Sequence, residues 1–491
     1  MIYLLTLLSG VLTGLAMPGN LFSFLIWGSL IFFLKNLDNS KRTLDRFLHT
    51  FIFAFSMLFT TLWWQLPVLS KNIPDILGSY SSFMGVLGFI GEILLLSLPY
   101  LLIWLLTEIF NRKFRETSFW NKVLFYSFAY TSAEILKDFG DLAFSGGSLG
   151  YAIWDHVGLI QLASIFGYLG LTFLIVFVNS FLAFDKSKYW FYKLPIVLSV
   201  LFILNFSIER FIPIENIEKD PLKITAVQTN ESQEIKYNVN SWKSYVDFSD
   251  KLRQAEKTNS DLVIFSESTF MEDITKNEVY DAFKINVKDI GKDVILGFPK
   301  SEAGEYYNTA WYFDEQANLV DSYNKIGLTP FAEFLPYEFI FDNFASFKLL
   351  RFYERGSEPG VFDVNGDKLG VQICFETYFS EISNSQVKNG AEALISITND
   401  GWFGTKTGLT QHFTQGIFRA VENRRDFVQV SNTGFTGHVD KYGRVVKAIA
   451  PFQEEITTFE INKNDGKTIY FHIKEILKLL ILIAALIFAI L

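Results

Sequence analysis

From Met1 to about Ile208 the chain alternates long apolar stretches with short polar ones, and that pattern restricts it to a membrane. A run of about 20 apolar residues matches a hydrocarbon core of roughly 30 Å crossed as a helix. Seven such candidates run near Ile2–Met17, Leu21–Leu34, Phe47–Leu66, Phe83–Thr107, Phe119–Leu136, Leu159–Phe184 and Trp190–Ile208. The first two are short, and Pro18-Gly19-Asn20 between them reads as a tight turn, so they are expected to form a helical hairpin. Residues 1–17 lack the basic leader of a cleaved signal peptide, and a second apolar segment follows at once. An uncleaved first span is therefore expected. Ile476–Leu491 is apolar again, with Lys478 its one charge. The overall composition agrees: 50% hydrophobic and 17% aromatic, with a net charge of −9 and no basic domain to neutralise phosphates, which argues against nucleic-acid binding.

Orientation follows from the basic residues of the short loops. The loops after the second, fourth and sixth candidates carry Lys35, Lys41, Arg42 and Arg46, then Arg112, Lys113, Arg115 and Lys122, then Lys186, Lys188 and Lys193. The intervening loops hold Lys71 and Lys137, so the asymmetry is eleven against two. The positive-inside rule then puts the N-terminus in the cytoplasm and the middle portion, after seven spans, on the periplasmic side. Trp63, Trp64 and Trp154 near span ends fit interfacial anchoring. Glu92 and Glu134 lie inside apolar stretches, where a carboxylate is either functional or hydrogen-bonded within the bundle.

From about Glu209 to Asp465 the composition is that of a globular domain. Segments of strand length, rich in β-branched and aromatic residues, lie at Leu222–Gln228, Leu262–Glu267, Asp293–Phe298, Thr309–Phe313, Leu319–Tyr323, Leu369–Cys374, Ala393–Thr398, Phe427–Ser431 and Val445–Ala448. Helices are expected at Val239–Lys257, Asn277–Ile290 and Thr410–Asn423. Strands both alternate with helices and follow one another directly, which reads as a mixed sheet packed against helices in one domain of about 250 residues.

Cys374 is the chain's one cysteine, and it ends the run Lys368-Leu-Gly-Val-Gln-Ile-Cys-Phe-Glu376. A lone thiol forms no intramolecular disulfide, so it is either inert packing or chemistry. Glu267 ends the apolar strand Val263-Ile-Phe-Ser-Glu267, and Lys325 follows the strand that ends at Tyr323. Each residue alone reads as a capped strand end or a surface ion pair. Together, if the strand ends converge, they put a nucleophile, a base and a cation in one pocket. Five scattered histidines and one cysteine give no metal-ligand spacing, no phosphate-binding glycine loop is apparent, and no cofactor is expected.

The Glu–Lys–Cys set resembles that of the nitrilase superfamily, and the match extends over nearly the whole chain to the membrane-bound apolipoprotein N-acyltransferase family. Val263-Ile-Phe-Ser-Glu267 resembles the family's base strand. Tyr323-Asn-Lys325 with Pro330-Phe-Ala-Glu333 resembles its lysine motif, and Ile373-Cys-Phe-Glu376 its nucleophile motif. Asn399-Asp-Gly-Trp-Phe-Gly404, Gln411-His412, Arg419-Ala-Val-Glu422 and Ser431-Asn-Thr-Gly434 follow in the family's order. Ser9-Gly-Val-Leu-Thr-Gly-Leu-Ala-Met-Pro18 and Gln161-Leu-Ala-Ser-Ile-Phe-Gly-Tyr-Leu-Gly-Leu-Thr172 resemble its membrane part. The sequence departs from the family at Ser266 (usually Pro), Phe375 (usually Tyr), Ala332 (usually Gly) and Tyr237 (aligned with a Trp). These departures leave the triad intact and bear on substrate positioning.

The resemblance implies a helical membrane domain at 1–208, a periplasmic nitrilase-like αββα sandwich at 215–465, and a last transmembrane helix at 470–491. It implies Glu267 as base, Lys325 as oxyanion-stabilising cation and Cys374 as nucleophile, with Glu333 orienting Lys325. Glu376 would help to orient Lys325 or hold a nearby loop. Lys325 is expected to favour the thiolate. Tyr237, Phe341, Phe375 and Trp402 are candidate substrate contacts. The implied reaction moves an acyl chain from a phospholipid, through a thioester, to a diacylglyceryl-cysteine at a lipoprotein N-terminus in the bacterial inner membrane. The apolar segment 336–359 is either a small subcore or a lid touching acyl chains. A membrane-tethered amidase acting on a soluble C–N bond is the alternative, and a non-enzymatic bundle would not need the three residues at strand ends. The oligomeric state is not legible, and a monomer is compatible with the sequence.

The charge asymmetry makes a topological prediction. With an impermeant thiol reagent, cysteines engineered on the surface of 215–465 should label in intact spheroplasts. Labelling that required permeabilising the inner membrane would reverse the assignment.

Overall fold

The computed structural model describes residues 2–78, 80–113, 117–185, 187, 190–214, 221–238, 240–341 and 353–490. They form two compact units, one of residues 1–70, 82–213 and 468–491 and the other of 71–81 and 214–467.

The first unit is helical. Ser82–Arg112, Ala163–Phe184 and Tyr192–Phe211 are long and apolar enough to cross a bilayer, and Thr43–Thr61 with Gln65–Ile76 forms a pair bent by 71°. Ile2–Leu15 and Ile469–Ile490 are also helical, and Phe119–Leu136 is a helix buried along most of its length. Helices Ile2–Leu15 and Thr43–Thr61 approach closely because Gly10 and Gly14 share one face. A Cβ on Gly10 would stand 2.0 Å from Ser56 Oγ, and one on Gly14 would stand 2.5 Å from Thr60 Cβ. Small residues four apart bring two backbones together, the usual basis of helix packing in lipid.

The expected span over Leu21–Leu34 is not one helix. A 3₁₀ segment at Ser23–Trp27 gives way at Gly28 to a helix over Ile31–Asn39. The backbone groups freed at the break are bonded by neighbours. Asn179 donates from Nδ2 to the Ile26 carbonyl (2.8 Å) and accepts the Leu30 N–H at Oδ1 (3.0 Å), while the Ser9 hydroxyl donates to the Ser29 carbonyl. Such satisfaction makes a broken helix tolerable in an apolar medium. Glu134 is likewise absorbed into the bundle: its carboxylate accepts from the Leu149 N–H (2.8 Å) and the Thr172 hydroxyl (2.5 Å).

The second unit contains two six-stranded sheets. β1 (Leu222–Gln228), β2 (Leu262–Phe265), β3 (Asp293–Glu302), β4 (Glu305–Phe313) and β5 (Leu319–Asn324) are neighbours in that order. β6 (Val361–Val364), β7 (Asp367–Ile373), β8 (Ala393–Thr398), β9 (Phe427–Ser431), β10 (Thr436–Val439) and β11 (Val445–Ile449) make the second sheet. β12 (Glu455–Ile461) returns to pair antiparallel with β1. β1, β2 and β3 are parallel, as are β7, β8 and β9. Parallel neighbours need crossovers, and helices Ser241–Glu256, Val279–Ile290, Ser380–Lys388 and Lys406–Asn423 supply them. Antiparallel neighbours need only tight turns. Ala303-Gly304 and Asn365-Gly366 have positive φ at both positions, the hairpin geometry that matches strand twist.

Side chains alternate across each strand. In β2, Leu262 and Ile264 join Ile224, Ile295, Val371, Ile373, Ile397 and Val430 in the core between the sheets. Val263 and Phe265 face the other way, onto Phe248, Leu252 and Phe283 of the helices. The layers run helix, sheet, sheet, helix. The mixed sheet expected from residue pattern alone is thus two sheets. β6, β10, β12 and helix Ser380–Lys388 were not anticipated: β6 and β10 have four residues each and the helix is nine residues and polar, so they carry little periodic signal, and the seven residues of β12 include two Glu and two Thr.

The helix contact predicts unequal tolerance of two glycines. Gly10→Leu should lower the melting temperature in detergent by several degrees, the effect of overpacking by about 1–3 kcal/mol. Gly88→Leu, where a Cβ meets nothing within 4 Å, should leave it within a degree. Equal effects would show that the crossing does not depend on Gly10.

Candidate active site

β2 ends at Phe265, and the chain turns so that Glu267 is buried just beyond it. The turn passes directly over β3. A Cβ on Gly297 would lie 2.7 Å from the Glu267 Cα, so only glycine fits there. Glu267 Oε1 accepts from Asn308 Nδ2 (2.8 Å) and lies 3.5 Å from Lys325 Nζ, while Oε2 accepts the Asn399 N–H at 2.8 Å.

Lys325 follows β5, and its backbone N–H donates to the Asn308 carbonyl on β4 (2.8 Å). Its ammonium lies 3.0 and 2.9 Å from the two Glu333 oxygens. Glu333 also accepts from Asn308 Nδ2 (2.7 Å) and the Thr329 N–H (2.7 Å). Burial alone would lower the pKa of Lys325, but the carboxylates of Glu333 and Glu267 outweigh it and raise it. For Glu333, burial favours the neutral acid and Lys325 overcomes it, so its carboxyl titrates below the usual value. The site therefore holds a permanent ammonium between two carboxylates, with Asn308 bridging them.

Cys374 follows β7 as the first residue of a 3₁₀ turn, Cys374–Tyr378, with φ +52°. A non-glycine residue there stores of order 1–3 kcal/mol of strain and needs surrounding bonds to hold it. Glu376 supplies several. Its Oε2 accepts the Ile373 N–H (2.7 Å), and Oε1 accepts from Tyr323 OH (2.6 Å), Ile326 N–H (2.7 Å) and Gly327 N–H (2.9 Å). These bonds tie Glu376 to the loop that follows Lys325. Burial and Glu267 push the Cys374 thiol above its ordinary value, and Lys325 only partly opposes them. Lys325 thus acts in the expected direction, toward the thiolate, but burial and the Glu267 charge outweigh it.

The structure places Glu267, Lys325 and Glu333 in direct contact, with Cys374 close enough to feel the charges of the first two. Among the described residues, Tyr237 and Trp402 form no hydrogen bond with this cluster, although the charges of Glu267 and Glu333 reach the Tyr237 hydroxyl and help to raise its pKa after burial. Tyr237 is exposed, its ring edge-on to Trp402 at 5.5 Å. Trp402 uses its carbonyl to accept from Asn72 Nδ2 (2.9 Å). Phe375 packs on Tyr378 and Phe379, each at 5.3 Å. The Phe341 side chain and residues 342–352 of the 336–359 segment lie outside the described residues. Sequence reasoning missed Asn308, whose only signal is an amide within the apolar run of β4. Asp400 and His412 stood out only as pieces of motifs, and they meet at 2.7 Å.

Because Asn308 donates to both carboxylates, Asn308→Ala should cost about 1–3 kcal/mol of stability, the range for buried acceptors that lose a donor, and should lower any turnover that depends on Cys374 more than tenfold. Wild-type activity in a folded Asn308→Ala protein would show that the bridge is dispensable.

Residues 223–470 match the carbon-nitrogen hydrolase family, and residues 9–181 match the apolipoprotein N-acyltransferase N-terminal domain. A Thermotoga maritima protein named apolipoprotein N-acyltransferase is 37% identical over 472 residues, covering 95% of this chain and 89% of its own. One of the same name from Geobacter metallireducens is 26% identical over 518 residues, covering 95% and 91%. A solved amidase from Nesterenkonia sp. is 15% identical, with a TM-score of 0.40 over 52% of this chain and 94% of its own. With both of its parts matched and such a relative aligned over nearly its whole length, the chain belongs to the apolipoprotein N-acyltransferase family, an acyltransferase branch of the carbon-nitrogen hydrolases.

Proposed function

We propose that the protein moves an acyl chain from a membrane phospholipid to the α-amino group of the diacylglyceryl-cysteine at an apolipoprotein N-terminus. The reaction takes place at the periplasmic face of the inner membrane, through a thioester on Cys374. The observation that carries this reading is the sole thiol of the chain, held at a strained strand end beside a base and a buried ammonium.

The resting thiol requires a base, and Glu267 is the carboxylate poised to supply one. As sulfur attacks the ester carbonyl, its proton passes to Glu267. Negative charge collects on the carbonyl oxygen, and Lys325 faces it as an ammonium that needs no reorganisation. Collapse expels the lysophospholipid alkoxide, which takes the proton from Glu267 and leaves the thioester. The lipoprotein amine then attacks the thioester, and Glu267 accepts the amine proton. Collapse releases the Cys374 sulfur, which regains that proton, and the product is an amide. Glu333 and Asn308 hold Lys325 and Glu267 through both halves. An amidase would send water to the same thioester, and the family match over residues 9–181 favours the lipid-dependent transfer instead.

In phospholipid vesicles without acceptor, the wild-type protein should release lysophospholipid in a burst of about one equivalent and gain one acyl mass on Cys374. Cys374→Ala should show neither, and Glu267→Gln should slow both halves by more than a hundredfold. Release of lysophospholipid only after acceptor is added would replace the thioester route with direct transfer.

A further inference from the structure

His412 lies at the centre of the helix Lys406–Asn423 and is buried beneath the nucleophile turn. Its Nδ1 is 2.7 Å from Asp400 Oδ1, and its Nε2 is 3.0 Å from the Cys374 carbonyl. Both partners are acceptors. Both Asp400 oxygens are already acceptors, for Oδ1 also accepts from the Thr398 hydroxyl (2.8 Å) and Oδ2 from the Ser431 hydroxyl (3.2 Å). A neutral imidazole has one N–H and could serve only one of its two partners. We infer that His412 is a doubly protonated positioning residue, which ties the Asp400 carboxylate to the Cys374 carbonyl and so holds the nucleophile's left-handed backbone in the conformation that presents its thiol. The inference rests on Cys374 being the nucleophile.

The surroundings suit a fixed imidazolium. Tyr378 stacks on the ring at 5.6 Å and 1°, and Phe403 meets it edge-on at 6.0 Å. The charged and titratable groups around it are Asp400 after β8, Cys374 after β7 and Glu267 after β2. Farther along its own helix, Arg419 and Glu422 pair with each other at 3.0 Å. Burial alone would lower the pKa of His412, but Asp400 overcomes it and the ring titrates above its ordinary value. The proton is thus present at neutral pH and lost as pH rises through the raised value. A neutral ring would keep its one proton for the carboxylate and turn a lone pair toward the Cys374 carbonyl, loosening the turn. Loss of Asp400 should move the same event to lower pH.

Acyl-enzyme formation from a fluorescent phospholipid in mixed micelles, measured between pH 5.5 and 8.5, tests this. At pH 7.5 Asp400→Asn should lower kcat at least tenfold with KM changed less than twofold. Its ratio to wild type should climb as pH falls, because acid restores the second proton to an imidazole that is still there. His412→Gln should lower kcat similarly, with a ratio that stays flat. A flat ratio for Asp400→Asn, or wild-type kcat, overturns the inference. Should either variant not accumulate as folded protein, exchange of the His412 C2 hydrogen in the wild type, followed by mass spectrometry, decides alone. A midpoint above the ordinary value of about 6.5 supports the imidazolium, and one at or below it refutes it. Acyl transfer by Cys374→Ala would instead fail the thioester reading, and the exchange midpoint would still report on His412.

Discussion

The site depends on one buried ammonium. Lys325 is 1% exposed, and a charge so placed is tolerable only with close countercharges and filled hydrogen bonds. Glu333 and Glu267 provide the charge, and Asn308 donates to both of them. Removing one of these charges leaves its partner buried and uncompensated, at a cost of roughly 3–5 kcal/mol. The same residues therefore position the Glu267 carboxylate, fix the ammonium and hold the β4–β5 corner, where Lys325 donates its backbone N–H to the Asn308 carbonyl. A cation fixed in this way can meet developing negative charge without first moving or shedding water.

Cys374 is held by a second set of contacts. Its backbone is strained, and the bonds that keep it so come from Glu376, Thr377 and His412. Glu376 also grips the Ile326 and Gly327 N–H groups, so the nucleophile turn of one sheet and the lysine loop of the other share one carboxylate. That bond set crosses between the sheets, which explains why a carboxylate with no hydrogen bond to Lys325 bears on its placement. Tyr323 OH completes the set from β5.

The helical unit is held together by different means, as expected of a membrane protein, where apolar side chains gain little by leaving lipid. Glycines let two helices touch along their backbones. Asn179, Ser9 and Glu134 fill hydrogen bonds that no water would fill. The buried side chains of Asn179 and Glu134 are thus accounted for by the irregular backbone beside them, at Ile26–Leu30 and at Leu149.

Local chemistry made much of this legible before any coordinates. Helical apolar stretches, nine of the twelve strands, and the delivery of Glu267, Lys325 and Cys374 to strand ends all follow from periodicity and run length, which neighbouring residues set by themselves. Other features exist only through space. A strand with two apolar faces does not reveal whether it meets a second sheet or a helix, so the single mixed sheet of the sequence became two. The apolar run over Leu21–Leu34 did not reveal its break, because the side chains that make the break tolerable lie far along the chain, at Ser9 and Asn179. Asn308 looked like an interruption of β4 until two carboxylates from elsewhere met on it. The protonation of Cys374 also had to wait: in the sequence its thiol has a lysine for a partner, and in the fold burial and Glu267 outweigh that lysine. The sequence by itself determined which residues could do the chemistry, since their types and strand-end positions are local. The tertiary structure decided which of them carry charge, because desolvation and Coulomb energy depend on distances that only the packed sheets define.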